Sequence, residues 1–276
     1  MKIGFLSSVE VGYQTLKLLY EDSVEISLVL SLHPEMAAKT SGFMNFEKIA
    51  RENGSIHYKV KNINSSRSQS ILEKSSLDLL IVCGFQRLLK EPILSIPRLG
   101  CVGFHASLLP AYRGRAPVNW AILEGAERTG VSYFHLVEEA DAGDLIAQES
   151  FAIEYSDTVK TVYEKVSPAC YRILKTNLAL QLAGSAPRTP NPAKDAPLYP
   201  GRSPEDGKIE WNWPSRKIYN YVRALTHPYP GAYYDQENTR YFLWKVKEGK
   251  YPDLGRIKGC GDGYVTILNE STRNLP

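Results

Sequence analysis

A histidine at the end of a strand, a proline-stiffened turn after it and a loop carboxylate further on are the raw material of general acid–base catalysis. Gly103-Phe104-His105-Ala106-Ser107-Leu108-Leu109-Pro110 supplies the first two, and Asp141-Ala142-Gly143-Asp144, after Arg113-Gly114-Arg115, supplies the third. His105 is the candidate base and Asp141 its candidate orienting partner. Each has a plainer reading on its own, since an isolated histidine is usually structural and Asp-Ala-Gly is ordinary turn chemistry.

Short apolar runs alternate with helical patterns through the first two thirds of the chain. Ile3 to Leu6, Val24 to Leu30, Ile56 to Val60, Leu77 to Cys83 and Cys101 to His105 read as strands. Val11 to Leu19, Phe43 to Arg51, Ile71 to Lys74 and Ala116 to Glu124 read as helices between them. This βαβ alternation predicts an α/β fold with a Rossmann-like, mostly parallel sheet. Val131 to Val137 and Leu145 to Ile153 are two further strands bracketing Asp141, and a helix from about Thr158 to Leu182 stops before Gly184. Ligands of open parallel sheets bind at the carboxyl ends of strands, where both Cys83-Gly84-Phe85-Gln86 and His105 fall.

The prolines between Ala186 and Pro204 forbid helix and central strand. Residues 1–185 are therefore expected to form a catalytic domain, 186–204 a Pro-rich linker and 205–276 a small β-rich C-terminal domain. In the last, Ile218 to Leu225 reads as helix, and Tyr241 to Val246 and Tyr264 to Leu268 as strands.

Thirty-three Lys and Arg against 30 Asp and Glu leave a net charge of +3, too little for a nucleic-acid surface. Cys83, Cys101, Cys170 and Cys260 show no Cys-x-x-Cys, which argues against a disulfide framework or a zinc site and for reduced, cytoplasmic thiols. No metal is expected. No segment has the roughly 20 apolar residues of a membrane span, and the first residues turn polar too soon for a secretion signal. No membrane association is expected. The lack of Gly-x-Gly-x-x-Gly after the first strand disfavours nicotinamide and flavin cofactors.

At His105, Arg113-Gly114 and Asp141-Ala142-Gly143 the sequence strongly resembles the formyltransferases that use 10-formyltetrahydrofolate. Their signature reads Asn-x-His-x-Ser-Leu-Leu-Pro, then Arg-Gly, Thr-Gly-Val and Asp-x-Gly. The resemblance covers most of the chain, through Trp211 and Val222-Arg223-Ala224-Leu225 to Pro230-Gly231-Ala232, and the C-terminal domain it implies is OB-like. It implies 10-formyltetrahydrofolate as formyl donor, His105 as base and Asp141 as its hydrogen-bonding partner. It also implies a pterin slot lined by Phe85, Leu88 and Leu89 beside the loop through Val137, Glu138 and Asp141.

One signature residue is missing: Gly103 stands where the family carries asparagine. A lost oxyanion donor typically costs about 2.7–4 kcal/mol, so another must substitute. Gln86 is the favoured donor, with Ser107, Asn119 or a water as the others. Ser107, Arg113, Arg115 and Asn119 are the candidate substrate-binding residues, and a guanidinium fork suits a phosphate or carboxylate.

Tyr112 through Trp120 is especially similar to the nucleotide-sugar branch of the family, implying a UDP- or dTDP-linked amino deoxysugar as acceptor. Tyr112, Trp120 and Trp211 could stack on the base. The second domain is shared with methionyl-tRNA formyltransferases, but residues 203–276 carry only eleven Lys or Arg against nine Asp or Glu. A tRNA acceptor is one alternative, and a non-catalytic folate-binding module, suggested by Gly103, is the other. A small strand-bearing domain could also pair two copies as a homodimer.

Overall fold

The computed structural model of the chain describes residues 1–192 and 196–275. Five short apolar runs become parallel strands: β1 (Ile3–Ser7), β2 (Leu28–Leu32), β3 (Ile56–Val60), β4 (Leu79–Val82) and β5 (Cys101–His105). Two more, β6 (Arg128–His135) and β7 (Leu145–Ala152), complete a seven-stranded sheet ordered β3-β2-β1-β4-β5-β6-β7. β6 runs antiparallel to β5, setting Gly103 opposite Phe134 and His105 opposite Ser132.

The connecting helices are α1 (Glu10–Glu21), α2 (Glu47–Glu52), α3 (Ser66–Ser75), α4 (Pro117–Leu123) and α5 (Val159–Leu182). Amphipathic α1 buries Gly12, Thr15, Leu16 and Leu19, the three- and four-residue spacing that marks its core face. Ser65 caps α3 by accepting from Ser68 N, and Pro117 opens α4 where a missing N–H costs nothing.

The C-terminal part is α6 (Ser215–Leu225) followed by β8 (Ala232–Gln236), β9 (Thr239–Glu248), β10 (Arg256–Cys260) and β11 (Gly263–Asn274). These strands form an antiparallel sheet ordered β10-β11-β9-β8. The expected architecture, a Rossmann-like sheet with a β-rich second domain, is the one observed.

Several elements differ from their sequence reading. β2 begins at Leu28, not Val24, and runs past Leu30 because Ser31, a polar residue that looks like a strand end, is buried with its hydroxyl 2.8 Å from His57 Nε2. Helix α2 is only six residues, since Phe43 forms a bridge with Val9 instead of joining it. β8 and β10 carried too many polar or turn-like residues to be read as strands.

Compactness groups the chain into one unit of Met1–Arg113, Gly130–Ser150 and Glu164–Pro197 and a second of Gly114–Thr129, Phe151–Tyr163 and Leu198–Pro276. A core of the first unit gathers Leu6, Leu30, Leu72, Leu80, Leu89 and Cys101 around β1, β2 and β4. The Pro-rich stretch, of which residues 193–195 lie outside the described residues, forms no long element but is anchored. Thr189 and Leu145 exchange backbone hydrogen bonds of 2.8 and 2.9 Å, and Tyr199 bridges Gly114.

Candidate active site

His105 is the last residue of β5, and period-2 alternation puts its side chain on the same face as Gly103 and Cys101. The imidazole is 8% exposed. Its Nε2 lies 2.9 Å from the backbone oxygen of Tyr112. A carbonyl only accepts, so Nε2 donates there and Nδ1 is left facing Asp141 Oδ1 at 3.5 Å. Histidine and carboxylate thus lie side by side in the first unit. The ring is oriented by a backbone carbonyl, which the sequence reading did not foresee.

The Asp141 loop is shaped by its backbone. Asp141 adopts φ +51°, a left-handed conformation that aspartate tolerates better than most residues. Gly143 lies so close to the His135 carbonyl that no Cβ fits, which accounts for the glycine in Asp-x-Gly. Two side chains pin the loop. Arg113, buried, donates through Nε to Ala140 O at 2.7 Å and pairs with Glu139 at 2.5 Å. Asn191, from the Pro-rich stretch, donates to Asp141 O at 2.9 Å and Gly143 O at 3.3 Å. Nothing in its spacing marks Asn191 as part of the site.

Ser107 is fully buried, and its hydroxyl donates to Ala111 O at 2.5 Å, holding the turn that brings Tyr112 back to His105. Ser132, opposite His105, donates to Ser107 O at 2.7 Å and accepts from Leu109 N at 2.9 Å. Ser107 and Arg113 are thus each bonded to backbone oxygens of the loops around His105 and Asp141.

Gln86 stands exposed in the loop after β4, and its amide makes no hydrogen bond among the described residues. Phe85 is half-buried against the core, Leu88 is 52% exposed, and Leu89, 5% exposed, points into the core. Leu89 therefore backs this loop instead of lining a slot. Val137 is 45% exposed, and Glu138 accepts from Glu91 N at 3.0 Å, tying the loop after β4 to the loop bearing Asp141. Apolar Phe85, Leu88 and Val137 on two bridged loops suit a flat heteroaromatic ring.

A Cβ on Gly103 would sit 2.6 Å from Leu136 Cδ2, so a side chain there requires Leu136 to shift. Leu136 fills the space in which an asparagine would extend.

Arg115 and Asn119 belong to the second unit. Arg115 is exposed, and its N–H donates to Tyr199 O at 3.0 Å. Asn119 is buried, and its amide donates to Ala224 O at 2.8 Å, joining α4 to α6. Trp120 donates to Pro200 O at 3.0 Å under the Arg202 guanidinium, and Trp211 packs edge-on against Tyr234. All four cysteines are free thiols, and among the described residues no cluster could hold a metal and no helix is long and apolar enough to cross a membrane.

The chain matches the family described as formyl transferase over residues 9–178 and the formyl transferase C-terminal domain over residues 202–272. Among solved structures, an N-formyltransferase from Helicobacter canadensis in complex with folinic acid and dTDP-3-aminofucose superposes with a TM-score of 0.73 at 16% identity, over 98% of this chain and 100% of that one. Methionyl-tRNA formyltransferase from Clostridium thermocellum gives 0.70 at 16% identity over 99% of both chains. HypX from Aquifex aeolicus in complex with tetrahydrofolic acid gives 0.67 at 20% identity, but the 98% of this chain that aligns spans only 44% of HypX. At these identities the likeness establishes a shared fold. The two family matches cover most of the sequence, and the chain belongs to the formyl transferase family of enzymes.

Proposed function

We propose that this enzyme moves a formyl group from 10-formyltetrahydrofolate to the amino group of a nucleotide-linked amino deoxysugar. The observation that carries the chemistry is the His105–Asp141 pair, a buried imidazole whose Nδ1 faces a carboxylate at 3.5 Å. The folate would be held by Phe85, Leu88 and Val137, with the backbone of the Glu138–Asp141 loop as polar recognition and Leu89 behind it. When bound, it supplies an electrophilic one-carbon acyl group.

His105 Nδ1 takes the proton that the acceptor nitrogen must lose on acylation, while Nε2 stays anchored to Tyr112. Asp141 offsets the resulting imidazolium charge at short range. Gln86, with its unbonded carboxamide, is the donor to the developing oxyanion in place of the missing asparagine. Arg113 and Ser107 support substrate binding by holding the loops, and exposed Arg115, which forms no ion pair among the described residues, supplies a guanidinium for a diphosphate.

The sugar acceptor is favoured by charge and by the segment Tyr112 to Trp120. The full-length fold match to a dTDP-amino-sugar complex supports it. An equally complete match to the tRNA enzyme keeps that acceptor as the second reading. We take residues 1–185 as the catalytic domain and 205–276 as the accessory one, joined by 186–204. The free thiols fit the cytoplasm, and the product would be a formamido sugar for glycan assembly.

The test is purified protein with 10-formyltetrahydrofolate and a panel of UDP- and dTDP-linked amino sugars, read by mass spectrometry. One or more sugars should gain a single formyl group. Formylation of initiator methionyl-tRNA alone, with affinity falling steeply as salt rises, would replace the sugar reading with the tRNA reading.

A further inference from the structure

β3 is an edge strand of the seven-stranded sheet, with Ile56 60% exposed and Tyr58 40% exposed. Along it lie two adjoining cavities of about 650 Å³ and about 510 Å³, both bordered by α3 and the first also by Glu47 of α2, that share Tyr58 and Arg67 as lining residues. The first reaches Lys61 and Asn62 just beyond the carboxyl end of β3, and the second reaches Ile56 at its amino end. Together they make a groove that follows the strand for about 17 Å.

The lining is basic. Lys2, Lys59, Lys61, Arg67 and Lys74 border the two cavities, with Glu47 the sole carboxylate among the lining residues. Lys59 is paired with Glu47 at 2.5 Å and Lys61 with Glu35 at 2.5 Å. Arg67 and Lys74, both exposed, have no acidic partner among the described residues.

The upper end of the groove is joined to the proposed folate slot. Asn64 Nδ2 donates to Leu88 O at 2.9 Å, Lys90 N donates to Asn64 Oδ1 at 2.9 Å, and Arg87 Nη1 donates to Lys61 O at 2.7 Å. The loop carrying Phe85 and Leu88 is thereby fastened to the turn at which the groove begins.

We propose that this β3–α3 groove binds an extended chain of carboxylates, the γ-linked oligoglutamate tail of the folate donor. The inference rests on the donor reading above. A tail leaving the slot beside Leu88 meets Lys61 first, then Arg67, then Lys74, so each added glutamate gains a cation along the strand. Tyr58 and Ile56 give the apolar floor for the methylene segments of the tail.

The experiment compares KM for mono- and pentaglutamyl 10-formyltetrahydrofolate at low ionic strength, in wild-type protein and in Arg67→Glu/Lys74→Glu. Exposed ion pairs of this number give a ratio of roughly two- to thirtyfold in favour of the pentaglutamate. The ratio should fall to about one in the double variant and at high salt, with kcat on the monoglutamate unchanged. Arg67→Gln/Lys74→Gln should behave alike without charge reversal. Equal KM values in wild type, or a ratio untouched by either double variant, overturn the proposal. So does equal protection of the groove by inorganic pyrophosphate, which marks a general anion site. Should neither donor be turned over, the formyl-transfer reading fails by itself, and calorimetric binding of tetrahydropteroyl-pentaglutamate still reads the groove. Tighter binding by wild type than by the double variant supports it, and equal binding refutes it.

Discussion

Gly103 and Leu136 form a pair whose coupling can be measured. An ideal Cβ on Gly103 lies 2.6 Å from Leu136 Cδ2, 3.2 Å from its Cγ and 3.4 Å from its Cδ1. The backbone cannot easily retreat, because Gly103 is paired on one side with Val82 and on the other with Phe134. Gly103→Ala is therefore expected to overpack the site at a cost of about 1–3 kcal/mol. At about 2–4 °C per kcal/mol for a chain of this size, Tm should drop by about 2–12 °C. Leu136→Ala destabilises on its own, but it also clears the space that the new Cβ needs. The double variant should be more stable than the sum of the single changes by about 1–3 kcal/mol, read by thermal or urea unfolding of all four proteins. Additivity to within about 0.5 kcal/mol would refute the reasoning. The same pair bears on catalysis, since Gly103→Asn with Leu136→Ala puts a carboxamide on the His105 face of β5. If no other donor is adequate, kcat should rise by up to about 10²–10³-fold in that variant. No rise would support Gln86 as the resident donor.

Asp141→Asn keeps the left-handed backbone, which asparagine tolerates, and removes the charge facing His105. Its kcat should fall about ten- to thousandfold with Tm little changed, and an unchanged kcat would remove Asp141 from the mechanism. Burial holds the His57 pKa below its ordinary 6.5, so its proton binds more readily to the unfolded chain. Its contribution to stability is present above pH 6.5 and is lost as pH falls from there through the lowered folded value. His57→Gln should flatten the dependence of Tm on pH in that window, and an identical slope in the variant would contradict the assignment. Cys83, Cys101 and Cys170 are buried, and the Cys101 thiol is pushed up to about 12, whereas Cys260 is half-exposed. A thiol reagent at pH 8 should label one cysteine in the native protein and four after denaturation, and fast labelling of a second would show that the core opens.

The parts of this fold that follow from local pattern were legible in advance. Cys101 to His105 reads as strand because an apolar run ends abruptly at a polar residue, and β5 has those bounds. Arg256 to Cys260 escaped notice because β10 is an edge strand with alternating basic residues, the pattern that also marks a loop. Ser31 concealed the end of β2, since only the tertiary partner His57 makes a buried serine acceptable there. At the site, the side chains that carry charge had recognisable spacing, but the groups that orient them did not. The acceptor for His105 is the backbone oxygen of Tyr112, and every residue has one. Asn191 reaches the Asp141 loop from 50 residues away, out of a stretch whose prolines suggested only a connector. Arg113 is expected to bind substrate because its type fits that task, and its burial, its pair with Glu139 and its bond to Ala140 O are contacts that only the folded chain reveals.

The central claim is that a buried imidazole at the end of β5, with Asp141 beside it, acts as the base when a formyl group passes from folate to nitrogen. The most direct measurement is single-turnover formylation of the best nucleotide-linked amino sugar by wild type and by His105→Ala, followed by mass spectrometry. The account predicts one formyl group gained with wild type and a rate lower by about 10²–10⁴-fold in the variant. A variant that formylates at the wild-type rate would contradict it.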